Sequence, residues 1–268
     1  MSVVRRYAPG PHGQLHLRES GVGGLPLVLL HQSPLSGAMF DAVMPLLAEA
    51  GFHAVAVDTP GYGQSTRPAH PVGIAGYAEA IGAVLDAMRW SRAHVLGHHT
   101  GASIAAAFAA RNPERVERLI LNGVALLSDE ERAHFAGFRF APLEPLPDGA
   151  HLVAAWNQRI AATPGWTDLK AMHRYVVELL ANPDDYHGGF TAAFAHDLHA
   201  GLLAIRSPTL VLTNTGEDLY EASRRAVLLR PDFAFAALEG GTHDVVDEQS
   251  EAWVLAVSTF VRHSRGAY

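Results

Sequence analysis

Residues 95–102 read Val95-Leu96-Gly97-His98-His99-Thr100-Gly101-Ala102. An apolar run stops at Gly97, and an alanine-rich helical stretch begins near Thr100. Gly97 and Gly101 bracket the junction. Small residues are what a very tight strand-to-helix turn demands, because a Cβ there collides with the facing backbone. The residue at the centre of such a turn is thrust clear of the sheet, and here it is His99. Shifting the frame by one, to bring Thr100 to the apex, puts His98 where a small residue must sit. Ser103 lies four residues past the centre, inside the helix, and points away from the apex.

Outward from this turn, strands and helices alternate. Residues 2–8 and 14–19 read as a hairpin around Pro9-Gly10-Pro11-His12-Gly13, and Leu25 to Leu30 as a strand buried on both faces. Helical spacing over 36–49 gives way to a strand from His53 to Val57, then to a helix over 74–89 and a strand from His94 to Leu96. After the helix at 100–111 comes a strand from Val116 to Leu121. The βα rhythm resumes with a strand from Pro208 to Thr213, a helix at 219–229, a strand from Phe233 to Leu238 and a closing helix at 248–263. This order predicts an α/β fold: a mostly parallel, twisted sheet with helices on both faces. Between 125 and 205 the rhythm breaks. That stretch carries Phe135, Phe138, Phe140, Trp156, Trp166, Tyr175, Tyr186, Phe190 and Phe194, and Pro142, Pro145, Pro147, Pro164 and Pro183 cut it into pieces. It reads as a helical cap inserted in a core formed by 1–124 and 206–268.

Composition excludes several classes of function. The 268 residues hold 20 Lys plus Arg against 27 Asp plus Glu, a formal charge of −7, which is the wrong sign for a nucleic-acid binder. With 49% hydrophobic and 18% charged residues the chain is not disordered. It has no cysteine, which removes disulfides, thiolate metal sites and cysteine nucleophiles together and fits a reducing cytoplasm. No apolar run approaches the roughly 18 residues that span a bilayer, and no apolar segment follows Arg5 and Arg6 to make a signal peptide. The expected partner is a small-molecule substrate, with neither nucleic acid nor membrane; assembly as a homodimer stays open.

Four motifs, in order along essentially the whole chain, resemble those of the α/β-hydrolase superfamily. His31-Gln32-Ser33-Pro34 resembles its H-G-x-P loop, and Asp58-Thr59-Pro60-Gly61-Tyr62-Gly63-Gln64-Ser65 its D-x-x-G-x-G-x-S segment. Residues 97–101 resemble the G-x-S-x-G nucleophile elbow. Gly241-Thr242-His243 stands where the family places its catalytic histidine. The departures are Gln32 in place of glycine and His99 in place of the nucleophile. The resemblance implies that Asp218, or Glu217 as the fallback, pairs with His243 as an acid–base unit. It also implies an oxyanion hole from the backbone amides of Ser33 and Thr100, which needs no particular side chains. His98 is implied to be structural. His31, Gln32, Trp156 and Tyr186 are expected at the substrate pocket.

A histidine at the apex has three readings. It attacks a carbonyl as a neutral imidazole; it acts as general base or hydrogen-bond donor while water or a carbanion reacts; or the site only binds a ligand. A metal is not expected, nor any cofactor: His98 and His99 are neighbours whose side chains should diverge, and His99 with His243 would need a third ligand to hold zinc. The resulting expectation is a cytoplasmic, cofactor-free hydrolase of a small, largely apolar ester, lactone or C–C bond next to a carbonyl. A cofactor-independent lyase or decarboxylase and a non-catalytic binding protein are the alternatives.

Overall fold

The computed structural model describes residues 2–136, 143–182 and 185–262. Eight strands form one sheet: β1 (Val4–Gly10), β2 (Gly13–Ser20), β3 (Leu25–Leu30), β4 (Phe52–Val57), β5 (Ala93–His98), β6 (Val116–Asn122), β7 (Thr209–Asn214) and β8 (Ala234–Leu238). Their order is β1-β2-β4-β3-β5-β6-β7-β8. The hairpin β1–β2 and the β2–β4 pair are antiparallel, and every later pair is parallel. Strand order reverses at β3, which lies between β4 and β5, so the crevice at the carboxyl ends of β3 and β5 is where such sheets hold ligands.

Successive side chains of a strand point to opposite faces, and both faces are buried here. Val28, Leu30, Val55, Val57, Val95 and Leu121 belong to one cluster. Leu27, Leu29, Ala54, Ala56, Leu96 and Ile120 belong to the other. The helices before β7 are α1 (Met44–Glu49), α2 (Ile74–Ala87), α3 (Thr100–Arg111), and, after β6, α4 (Asp129–Ala136), α5 (Ala150–Ala162), α6 (Leu169–Ala181), α7 (Gly188–Ala195) and α8 (Leu198–Ala204). The chain closes with α9 (Tyr220–Leu229), α10 (Val245–Glu248) and α11 (Ser250–Arg262).

The helix expected over 36–49 is two pieces. A 3-10 turn at Gly37–Phe40 is capped by the Ser36 hydroxyl, and α1 restarts behind Pro45. Proline lacks the N–H that would carry a helix through that point, and fits only the first turn. Between β6 and β7 the described residues carry the helices α4–α8 and no strand, as the proline-cut aromatic stretch predicted. Phe138, Phe140, Pro142 and Pro183 lie outside the described residues. No helix among those described is long and apolar enough to cross a membrane.

His94 on β5 is buried, and its Nδ1 has no hydrogen-bond partner. Burial lowers its pKa to about 4. A histidine held neutral in the fold but free to protonate when unfolded penalises folding at acid pH. The penalty is absent above the unfolded pKa of about 6.5 and grows as pH falls toward the folded value. Chemical denaturation of His94→Leu at several pH values should show a flatter dependence than wild type between pH 6.5 and 4, by up to about 3 kcal/mol. Parallel curves for the two proteins would contradict this account.

Candidate active site

The turn after β5 is as tight as its glycines imply. A Cβ on Gly97 would come within 2.0 Å of the Gly101 carbonyl oxygen, and one on Gly101 within 2.3 Å of that of Leu30. His99 sits between them at φ 50°, ψ −108°, outside the regions an L-residue prefers. Its backbone N–H donates to the Asn122 carbonyl at the end of β6 (2.8 Å), and its carbonyl accepts from Ala102 in the first turn of α3 (2.9 Å). The imidazole leans over Gly123, where a Cβ would lie 2.2 Å from its Cδ2. Gly123, with φ 67°, therefore makes room for a ring at the apex.

The acid that meets this ring is Glu217. His99 Nε2 lies 2.6 Å from Glu217 Oε2, and the Thr213 hydroxyl donates to the other carboxylate oxygen. The Glu217 side chain is fully buried and that of His99 is 17% exposed. The expected Asp218–His243 pair is not formed. Asp218 is exposed at the turn after β7, and its carboxylate lines the cavities without bonding His243. The His243 ring meets Arg159 of α5 instead, with Arg159 Nη1 2.6 Å from His243 Nε2. The same guanidinium pairs with Asp244 and lies over the Tyr175 ring, its Cζ 4.0 Å from the centroid. An arginine only donates, so His243 Nε2 accepts and its proton stays on Nδ1. Burial, with Arg159 and His99 adding to it, lowers the His243 pKa to about 3.

His98 and His99 do not diverge. Their rings stand edge to face with centroids 4.3 Å apart, because the left-handed apex swings His99 back over its neighbour. The His99 and His243 centroids are 6.5 Å apart. A cavity of about 270 Å³ joins Gln32, Ser33, His99, Thr100, Asp218 and His243. A larger one of about 620 Å³, lined by Arg159, Tyr175, Tyr186 and the same Asp218 and His243, lies beneath the inserted helices. Gln32 brings a buried Nε2 with no partner to this region. His31 does not line it: its Nε2 accepts from the Thr59 amide (3.0 Å) and its Nδ1 donates to the Gln32 carbonyl (2.9 Å), which ties the loop after β3 to the loop after β4. Trp156 packs against the small cluster of Ala155, Val176 and Leu179 rather than lining either cavity.

The family model for the alpha/beta hydrolase fold matches residues 26–220. The chain belongs to this family. It is 30% identical over 199 residues to an alpha/beta hydrolase superfamily protein of Bacillus subtilis, covering 70% of this chain and 73% of that one. It is 35% identical over 118 residues to a 2-hydroxy-6-oxononadienedioate/2-hydroxy-6-oxononatrienedioate hydrolase of Burkholderia vietnamiensis. That match spans 42% of this chain and only 41% of the relative's length. Among solved structures, a hydrolase from Pseudomonas aeruginosa superposes with a TM-score of 0.79 at 24% identity, covering 97% of this chain and 98% of that one. Within this alpha/beta hydrolase, sequence reading missed Arg159, Asp244, Thr213 and Gly123. Asp244 and Gly123 had a signal, adjacency to His243 and to the end of β6; Arg159 lies in the insertion and had none.

Substituting Gly123 tests whether the ring position depends on that gap. Gly123→Ala should cost about 1–3 kcal/mol through its positive φ and displace His99 from Glu217. Denaturation midpoints and the histidine ring resonances report the two effects separately. A variant as stable as wild type, with unshifted His99 resonances, would contradict the packing described.

Proposed function

We propose that this protein is a hydrolase that adds activated water, without a covalent enzyme intermediate, to a carbonyl carbon of a small, largely apolar ester, lactone or ketone with a cleavable neighbouring C–C bond. The observation that carries this reading is the 2.6 Å contact of Glu217 with Nε2 of the apex histidine, where the fold ordinarily presents a nucleophile. With Nε2–H donating to Glu217, the Nδ1 lone pair of His99 is left to accept a proton from water. The orienting carboxylate also balances the imidazolium that forms.

In the reaction, water adds its oxygen to the carbonyl carbon and gives a proton to His99 Nδ1. The resulting oxyanion is held by the backbone amides of Thr100 and Ser33 and by the free Nε2 of Gln32. Thr100 opens the twelve-residue helix α3, so its dipole favours the developing charge. Collapse breaks the C–O or C–C bond, and the leaving oxygen or carbon takes the proton back from His99. The helices at 125–205 act as the cap that encloses the substrate, and the likeness to a dienedioate hydrolase supports the C–C option. His243, held neutral by burial with Arg159 adding to it, is a wall and hydrogen-bond donor through Nδ1 rather than the base. Asp218 is dispensable to proton transfer.

The test is a panel of aryl esters, lactones and vinylogous 1,5-diketones. Glu217→Gln should lower kcat by roughly 10²–10⁴-fold, the scale of general acid–base catalysis, while Asp218→Asn stays within about threefold on the same scale. A fluorophosphonate probe should leave position 99 unlabelled. Full activity in Glu217→Gln, or an acyl-enzyme trapped on His99, would sink the reading.

A further inference from the structure

The underside of the apex carries a feature that water activation does not use. The His98 ring is 0% exposed, and neither of its nitrogens has a hydrogen-bond partner. A buried polar atom left unpaired is destabilising, so a ring with two such atoms asks for a ligand. Beside it, the Glu217 carboxylate is buried with no Arg or Lys against it among the described residues. Its neighbours are the Thr213 hydroxyl and the His99 ring. A buried carboxylate needs a positive counter-charge.

We propose that His98, His99 and Glu217 form a binding site for one divalent first-row transition-metal ion. One ligand atom from each residue lies within 4.8 Å of the other two. A four-coordinate ion with bonds of about 2.1 Å wants its ligands about 3.4 Å apart. The His99–Glu217 contact of 2.6 Å therefore opens by about 0.8 Å, and the His98 ring closes by rotation. The metal takes the Nε2 lone pair of His99, whose proton then sits on Nδ1, and gives His98 the partner it lacks, so the ion-bound site alternates with the state in which Nδ1 accepts a proton from water. Two imidazoles and one carboxylate suit Zn²⁺, Co²⁺ or Ni²⁺ rather than Mg²⁺ or Ca²⁺, which take all-oxygen sets. Thr213 on the far carboxylate oxygen is the kind of outer partner that orients a ligating carboxylate.

The site goes beyond the water-activating reading and stands or falls separately from it. Chelator-treated protein is titrated with Zn²⁺ by calorimetry and with Co²⁺ by visible absorption. The expected result is one ion per chain, with cobalt d–d bands of low-coordinate N/O ligation and no competition from excess Mg²⁺. Glu217→Gln and His98→Phe should each weaken Zn²⁺ binding by at least roughly 10–100-fold, and Thr213→Val by about tenfold. His199→Ala, which removes an exposed imidazole on α8, should leave binding unchanged. Should His98→Phe fail to fold, paramagnetic shifts of the His98 and His99 ring protons in Co²⁺-loaded wild type serve instead. Absence of stoichiometric binding, or binding retained in Glu217→Gln with unshifted ring protons, overturns the site. Metal-free turnover that Glu217→Gln abolishes then leaves the water-activating reading intact. Tight metal binding with no loss of turnover in Glu217→Gln does the reverse.

Discussion

The backbone of His99, forced to a positive φ between a strand and a helix, is the constraint on which the site depends. A non-glycine residue there costs of the order of 1–3 kcal/mol and persists only where its surroundings over-determine it. Here they do. Gly97 and Gly101 let β5, α3 and the carbonyl end of β3 approach closer than any Cβ permits. The His99 amide is fastened to Asn122 at the end of β6. Asn122 is itself held from both sides: its Nδ2 donates to the Leu212 carbonyl of β7, and its Oδ1 accepts from Trp253 Nε1 of α11 at 2.6 Å. The carboxyl ends of three parallel strands and the closing helix are thus joined through one buried amide. Glu217 leaves β7 three residues after its end, already aimed at the ring that β5 presents.

Reading along the chain recovered the parts of this arrangement that are local. The glycine spacing at 97 and 101, the apex position of His99 and the βα alternation all follow from short-range rules: no Cβ where backbones touch, a period of two in strands, proline and glycine at the breaks. The β1–β2 hairpin and the helical character of the stretch after β6 follow from the same rules. What escaped is set by distance through space. The choice between Glu217 and Asp218 turns on which of two adjacent carboxylates faces inward, and the turn at 214–219 decides that by burying the first and exposing the second. Arg159 is 84 residues from His243 and reaches it only because α5 lies over the carboxyl end of the sheet. His98 and His99 were expected to splay, as neighbours in an ordinary turn do; the left-handed apex brings their rings together instead.

Placing an imidazole rather than a hydroxyl at the apex changes what each remaining group can do. A short side chain there would leave the carboxylate after β7 to reach past it to His243. A ring fills that space, needs Gly123 to make room for it, and intercepts Glu217 first. His243, without the carboxylate after β7, takes the Arg159 cation as its nearest neighbour, with Asp244 Oδ2 3.5 Å from the same Nε2. A guanidinium beside an imidazole is tolerable only if the imidazole stays neutral and another anion compensates the arginine. Asp244 supplies that anion from the very next residue. The two histidines are consequently divided by their partners: the His99 ring meets the buried Glu217 carboxylate, and the His243 ring, held neutral by burial, meets Arg159, which opposes any charge on it further. That division is set by Glu217, the residue before the expected acid, and by Arg159 from the inserted helices. It leaves the cavity between the rings bounded on one side by an imidazole paired with a carboxylate and on the other by one paired with a guanidinium.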